Sequence, residues 1–278
     1  MMMHSSPNRR QLLRYLGLGA LSAMGSAAMG KRLLAQEGNP APQAPTPRAP
    51  AGEAIVRWLG HTCFWISGDG LRVLVNPFRR IGCTAGYERP EVPSDLVLIS
   101  SQLFDEGGGV KTLDNLPQIL FQPGSYDFQG IEFQGTSVDH DREGGRRFGK
   151  NIIWRWEMGG MRFAHLGGAA VPLSFEDKIV IGQADVVFLP VGGGPKAYNP
   201  EEAKEALSGL SARLIIPTHY RTQAAEDDCD IAGIDDFLSL FPGADIRRIG
   251  GDAVRLSPRI LPAEGSQAFA VFDYPFPA

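Results

Sequence analysis

The sequence predicts an α/β layered domain, because short apolar strands alternate along the chain with a few helical segments. Hydrophobic residues make up 43% of the 278 residues and charged residues 21%, as in ordinary soluble globular proteins. A chain of this length can bury a sizeable core. One helix has clear start signals, since Asn199 suits an N-cap position and Pro200 suits the first turn. These observations together favour the α/β class.

The individual elements follow from local patterns. Residues 54–66 alternate between apolar and polar side chains and break at Gly60, which predicts a pair of strands. Residues 151–156 and 161–165 flank Gly159-Gly160, which predicts a hairpin. The remaining predicted elements are strands at 71–75, 95–100, 185–191 and 213–217 and a helix at 200–210.

The amino terminus has the pattern of an export signal. Arg9-Arg10 precedes a short apolar stretch rich in small residues, which resembles a twin-arginine signal and predicts export to the periplasm or the thylakoid lumen. The alternative is a membrane tether formed by the same segment. The predicted organisation is a signal segment at 1–35, a Pro/Ala-rich linker at 36–52, a folded domain at 53–262 and an aromatic tail at 263–278. That tail either packs back on the domain or docks on a partner.

Charge and cysteine content limit the possible binding partners and the possible disulfides. The net charge is −4, and no cluster of basic residues with interleaved aromatics occurs, so the sequence argues against nucleic-acid binding. In an oxidising compartment Cys63, Cys83 and Cys229 can form at most one disulfide. Buried free cysteines are the open alternative.

Several short patterns recur in an order that carries a family resemblance. Their members are residues 58–61 (WLGH), 73–78 (VLVNPF), 95–100 (DLVLIS), 140–141 (HD), 149–151 (GKN), 163–167 (FAHLG), 190–193 (PVGG) and 216–220 (IPTHY). The chain thereby resembles the lactonase-like, Zn-dependent hydrolase branch of the metallo-β-lactamase superfamily. This resemblance implies a four-layer αββα sandwich and a hydrolysis in which two zinc ions activate a water molecule.

Comparison with the family pattern also shows which metal-ligand positions differ in this chain. The family pattern T-H-x-H-x-D-H reads Ser-Ser-Gln-Leu-Phe-Asp-Glu at residues 100–106, so Ser101 and Leu103 stand at two histidine-ligand positions and Glu106 at a third. Gly168 stands at the position of the bridging aspartate, and Asn76 replaces the aspartate of a D-P-F motif. Of the metal ligands, Asp105, His140 and His219 are retained. The triple glycine at 107–109 predicts that the helix after the metal loop is remodelled.

These changes predict an exported pseudoenzyme that acts in binding or assembly, with no cofactor. The alternative is a hydrolase of a small anionic ester, lactone or phosphoester with one zinc or other divalent metal held by Asp105, Glu106 and His219. His140, His219, Asp105 and Glu106 would be its catalytic residues. If only the ligands have changed, replacing Ser101, Leu103 and Glu106 by His and Gly168 by Asp should restore zinc binding.

The remaining polar residues near the expected cleft predict a ligand site. We expect His61, Arg146, Arg147, Lys150 and His165 to bind a small anion, because arginine forks suit carboxylate or phosphate. Asp141 is expected to orient His140. Structural roles for both histidines and a solvated basic loop are the alternatives. A protein partner is the other open possibility.

Overall fold

The structure is a computed structural model that describes residues 49–113 and 117–276. The predicted signal segment and all but the end of the predicted linker lie outside the described residues. The strands are β1 (Ala54–Gly60), β2 (Cys63–Gly68), β3 (Leu71–Val75), β4 (Leu96–Leu98), β5 (Gln118–Leu120), β6 (Gly124–Phe128), β7 (Ile131–Asp139), β8 (Lys150–Met158), β9 (Met161–His165), β10 (Val186–Pro190), β11 (Leu214–Thr218), β12 (Asp245–Arg248), β13 (Ala253–Leu256) and β14 (Ala268–Val271). The helices are α1 (Phe175–Ile181), α2 (Pro200–Ser208) and α3 (Ile234–Leu238), with short 3₁₀ segments at Gly82–Thr84 and Gly107–Thr112.

Two mixed sheets form the centre of the fold. The first has the strand order β13-β1-β2-β3-β4-β5, and the second has the order β12-β14-β11-β10-β9-β8-β7-β6. The strands β9, β10, β11 and β14 run parallel to one another, so their carboxyl ends meet at one edge of the second sheet. The predicted fold class, an α/β αββα sandwich, is confirmed.

The core lies between the two sheets. Phe64 on β2 packs against Phe188 on β10 with ring centroids 4.6 Å apart. The indole nitrogen of Trp154 on β8 donates a hydrogen bond to the carbonyl of Ile99, just after β4, at 3.0 Å. A buried indole N–H needs such a partner, so this bond fixes one sheet against the other near the end of β4.

The second helix begins as its sequence predicts. The side chain of Asn199 accepts a hydrogen bond from the backbone N–H of Glu202 at 2.8 Å, and Pro200 occupies the first turn. Asn199 thus satisfies one of the free N–H groups of the helix start. None of the helices in the described residues is long and apolar enough to cross a bilayer.

The triple glycine forms a 3₁₀ segment where the family resemblance implies a helix, as its composition predicts. A Cβ atom at Gly109 would lie 2.3 Å from the carbonyl oxygen of Phe78, and one at Gly107 would lie 2.1 Å from a methyl carbon of Ile99. Only glycine permits this close approach, so the segment packs directly against the ends of β3 and β4.

The aromatic segment predicted at 263–278 packs back on the domain, which is one of the two alternatives that the sequence left open. Residues 268–271 form β14, which lies between β11 and β12 in the second sheet. Beyond it, Tyr274 and Phe276 pack on Tyr87 with ring centroids 4.7 Å and 5.7 Å away. The expected aromatic tail therefore belongs to the domain, because its apolar residues complete the core.

One disulfide links distant parts of the chain. Cys83 and Cys229 are bonded, with Cα atoms 5.1 Å apart and a sequence separation of 146, while Cys63 is free and buried. The bond joins the 3₁₀ turn after β3 to the loop that precedes α3.

Candidate functional site

The candidate site lies where β4, β7, β9 and β11 end. Asn76, just after β3, accepts a hydrogen bond from the backbone N–H of Ser100 at 2.8 Å and thereby ties the ends of β3 and β4 together. Asn76, His61 and His219 have positive φ angles of 50°, 52° and 53°. Residues with side chains rarely adopt this conformation, and such strain often marks a functional region.

Glu106 is the centre of a buried polar cluster. Its carboxylate accepts a hydrogen bond from the Ser101 hydroxyl at 2.6 Å and lies 3.2 Å from Nε2 of His140. Glu106 and His140 are completely buried. Burial alone would raise the pKa of Glu106, but the His140 ring and these hydrogen bonds hold that pKa well below its usual range. Glu106 is therefore a carboxylate anion matched by internal partners.

The position of the family's bridging aspartate has no room for one. A Cβ atom on Gly168 would lie 2.4 Å from Nε2 of His140 and 2.5 Å from Oε1 of Glu106. The carbonyl oxygen of Lys196 would lie 2.9 Å away on another side. The Glu106–His140 pair therefore occupies the space that a side chain at residue 168 would need.

His61 and His219 form a second buried pair. Their ring centroids are 4.3 Å apart, and each residue is 1% exposed. Among residues 49–113 and 117–276, none of their four ring nitrogens has a hydrogen-bond partner. Burial, followed by the charge of Lys196, lowers the pKa of His61 to about 3. Burial and then the neighbouring His61 lower the pKa of His219 well below its usual range. Both imidazoles are therefore neutral at neutral pH, each with one donor and one acceptor nitrogen.

Lys196 brings a positive charge into the site. Its ammonium group pairs with the carboxylate of Asp105, which in turn lies 4.0 Å from Nε2 of His61. Both side chains are mostly buried, at 16% and 19% exposure. Lys196 comes from the loop before α2, whereas Asp105 comes from the loop after β4.

These side chains do not form a ligand set for zinc. Within residues 49–113 and 117–276, no group of three or more His, Cys, Asp or Glu side chains is arranged to hold a metal ion. The three predicted metal residues face different partners: Asp105 pairs with Lys196, Glu106 with His140, and His219 with His61. A structural zinc ion needs four donors about 2.0–2.3 Å away, and an ammonium group beside it would repel it.

A cavity of about 330 Å³ opens above this site. Its polar lining consists of Asp105, Lys196, Asp228 and Asp230, so three carboxylates face one ammonium group. Its remaining lining residues include the apolar side chains Ile81, Leu103, Phe104 and Phe148 and the two disulfide-bonded cysteines.

The basic loop predicted to bind an anion does not line this cavity. Arg146 donates to a backbone carbonyl of its own loop, Arg147 lies over the Phe148 ring at 4.7 Å, and Lys150 pairs with Asp139. The physical reason is that the loop folds around the carboxylate of Asp141.

Asp141 organises the loop instead of orienting His140, which corrects the expected role. Its carboxylate accepts hydrogen bonds from four backbone N–H groups, those of Glu143, Gly145, Arg147 and Phe148, at 2.8–3.0 Å. Nδ1 of His140 has no hydrogen-bond partner among the described residues. The loop folds around Asp141, and only Phe148 of its side chains lines the cavity.

His165 has a structural role. Its Nε2 lies 3.0 Å from the carbonyl oxygen of Thr62, and its Nδ1 accepts a hydrogen bond from the backbone of Gly167 at 3.1 Å. Burial lowers its pKa to about 4. With both ring nitrogens paired inside the protein, His165 has none left for a ligand.

Sequence reasoning missed Lys196, Asp228 and Asp230. None belongs to a local motif, and Lys196 meets Asp105 across 91 residues of chain. The one local signal that could have pointed to the site is a lysine shortly after the glycines at 192–194, between a strand and a capped helix.

Comparisons with known proteins agree with the fold. Residues 55–219 match the family model described as the beta-lactamase superfamily domain. The chain is 26% identical over 195 residues to a UPF0173 metal-dependent hydrolase of Thermus thermophilus, covering 60% of this chain and 84% of that protein. It is 28% identical over 190 residues to a protein of the same name from Methanoregula boonei, covering 59% of this chain and 81% of that one.

Solved structures give the same result. A Zn-dependent hydrolase candidate of the metallo-β-lactamase superfamily from Thermotoga maritima aligns with a TM-score of 0.62 and 28% identity, covering 80% of this chain and 99% of its own. An isothiocyanate hydrolase from Delia radicum gut bacteria shares the fold with a TM-score of 0.52 and 12% identity, covering 67% and 91% of the two chains. The family match spans more than half of the sequence, so the chain belongs to the metallo-β-lactamase superfamily.

Proposed function

We propose that this chain is a pseudoenzyme: a metallo-β-lactamase-fold protein that binds a small molecule in its former active-site cavity and does not perform two-metal hydrolysis. The Ser101–Glu106–His140 cluster carries this proposal. The side chains at three of the family's ligand positions hydrogen-bond to one another in this cluster, and the cluster fills the space beside Gly168. Without a bridging aspartate, two zinc ions have no shared carboxylate to hold them together.

The relatives' names favour a second candidate, a hydrolase with a single divalent metal. The observation that favours it is that the ring nitrogens of His61 and His219 have no hydrogen-bond partner within the described part of the chain, while Asp105 lies close by. Such ring nitrogens can bind a metal ion. Asp105 could join them as a ligand only after the Lys196 ammonium group has moved away from its carboxylate.

Metal analysis separates the two candidates. We expect protein purified without chelator to contain far less than one equivalent of zinc, iron or manganese, while the Thermus thermophilus relative purified in parallel serves as the control. A near-stoichiometric metal that is lost in His219→Ala would overturn the pseudoenzyme proposal. A panel of lactones, phosphodiesters and β-lactams provides the second readout, and turnover that His219→Ala abolishes would favour the single-metal hydrolase.

We also propose that the protein acts after export, in the periplasm or thylakoid lumen. The arginine pair Arg9-Arg10 and the Cys83–Cys229 disulfide support this, because disulfides persist in oxidising compartments. The test is fractionation of cells that express the full chain and its Arg9→Lys/Arg10→Lys variant. Retention of the variant in the cytoplasm is expected, and identical distribution of both proteins would contradict the twin-arginine route.

A further inference from the structure

A second cavity, of about 280 Å³, borders the loop after β4. One of its walls is the 3₁₀ segment Gly107–Thr112, and another is β5 with the residue that follows it, at the edge of the first sheet. Of the described residues that line it, Phe104 alone also lines the cavity beside Lys196. This second cavity is therefore distinct from the former active site.

Most of the side chains that line the second cavity are apolar. Ile99 is buried, and Val110 and Ile119 are half-buried. The rings of Phe104 and Phe121 are 56% and 46% exposed, although both belong to the lining. Two large aromatic side chains that remain in water around an apolar cavity would gain free energy if an apolar ligand covered them.

The charged side chains of this lining are all positive. They are Arg79 and Lys111, and no Asp or Glu lines the cavity, although the whole chain has a net charge of −4. The Nε of Arg79 donates a hydrogen bond to the carbonyl of Gly108 at 3.1 Å, and its guanidinium carbon lies 4.8 Å from the centre of the Phe104 ring. Within residues 49–113 and 117–276, neither Arg79 nor Lys111 forms an ion pair. Both charges therefore remain available to a ligand, and a guanidinium fork suits a carboxylate.

We infer that the second cavity binds a small amphipathic carboxylate, a molecule with one carboxylate group on a short hydrocarbon chain. Its carboxylate pairs with Arg79 and Lys111, and its hydrocarbon chain lies along Phe104, Ile119 and Phe121. The volume is near the lower end of the range for small-molecule sites, so the ligand is small. This inference goes beyond the proposed function and does not depend on whether the former active site holds a metal.

Calorimetric titration of the full chain with three probes tests the chemistry of the ligand. We expect octanoate to bind at least about tenfold more tightly than butanoate, because each buried CH₂ group removes more apolar area from water. Octylamine, which has the same chain and the opposite charge, should not bind. Octylamine that binds as tightly as octanoate, or butanoate that does, would overturn the inference. Phosphatidylglycerol vesicles that bind the protein when free octanoate does not would overturn it in favour of a membrane surface.

Matched variants locate the binding. At about 150 mM salt, where exposed charges are well screened, Lys111→Glu is expected to raise the Kd for octanoate about fivefold or more. Arg79→Gln should act in the same direction. Arg80→Glu is the control, because Arg80 is an exposed neighbour outside the cavity lining, and it should change the Kd less than about twofold. Lys111 is exposed and its replacement leaves the core intact, so this variant keeps the test decisive if Arg79→Gln does not fold. Equal effects of Lys111→Glu and Arg80→Glu would mean general surface attraction and would overturn the site.

Discussion

The buried Glu106 carboxylate should be a large contributor to stability. Glu106→Ala leaves the Ser101 hydroxyl and the His140 ring without their partner in a fully buried site. Each buried polar group left without its partner costs about 1–3 kcal/mol, and the loss of side-chain volume adds to this, so we expect a total cost of about 3–5 kcal/mol. Glu106→Gln keeps the volume and an oxygen that can accept from Ser101, but it loses the charge, so we expect a cost of about 1–2 kcal/mol. Urea unfolding in the presence of EDTA measures both values.

The same assay with zinc separates a structural carboxylate from a metal ligand. A bound metal at one hundred times its Kd would raise the free energy of unfolding by about 2.7 kcal/mol. We expect zinc to leave the unfolding curves of the wild type and of Glu106→Gln unchanged. Glu143→Gln, at an exposed site, serves as the control and should lie within about 0.5 kcal/mol of the wild type. The reasoning is refuted if Glu106→Ala costs less than about 1 kcal/mol, or if zinc stabilises the wild type and not Glu106→Gln.

Three further predictions concern stability. Gly168→Ala should cost about 2 kcal/mol or more in urea unfolding because its Cβ has no space, whereas Gly251→Ala, with nothing within 4 Å, should cost less than about 1 kcal/mol; equal costs would contradict the packing at residue 168. The pKa of His165 is lowered to about 4, so its contribution to stability is complete above the unfolded pKa of about 6.5 and is lost as the pH falls toward 4. Between pH 7 and pH 4.5 the wild type should therefore lose about 2–3 kcal/mol more than His165→Gln, and parallel losses would show that His165 is protonated in the folded protein. Cys83→Ala/Cys229→Ala should lower the free energy of unfolding by about 2–5 kcal/mol under oxidising conditions, and an unchanged value would argue against the disulfide.

The sequence predicted those elements whose signals are local. The strand at 71–75 and the helix that begins at Pro200 were found because alternation and an N-cap are written within a few residues. In contrast, β14 was not predicted as a strand because its four residues become a strand only by pairing with β11 and β12, which are distant in sequence.

In the candidate site, too, some features could be predicted from local sequence and others could not. The altered ligand positions could be read from motif spacing, and Glu106 and His140 do meet in the structure. That Glu106 would turn toward His140 rather than toward His219 depends on loop conformation, which no motif encodes. The ligand-binding role of the basic loop was overestimated, because composition does not reveal that Asp141 folds the loop backbone around itself.

Under the proposed function, the crowding at Gly168 would also make the loss of the metal site hard to reverse by stepwise evolution. An aspartate there cannot be accommodated while Glu106 and His140 hold their present positions, and removing Glu106 first passes through a protein weakened by several kcal/mol. Even the fourfold variant that replaces Glu106 keeps the Lys196 carbonyl 2.9 Å from the new Cβ, so the loop before α2 would have to move as well. Each mutational path that restores the aspartate therefore begins with a less stable intermediate, which selection for a folded protein would remove. A lineage that reached this arrangement would be expected to diversify through its cavity lining rather than to regain its ancestral chemistry.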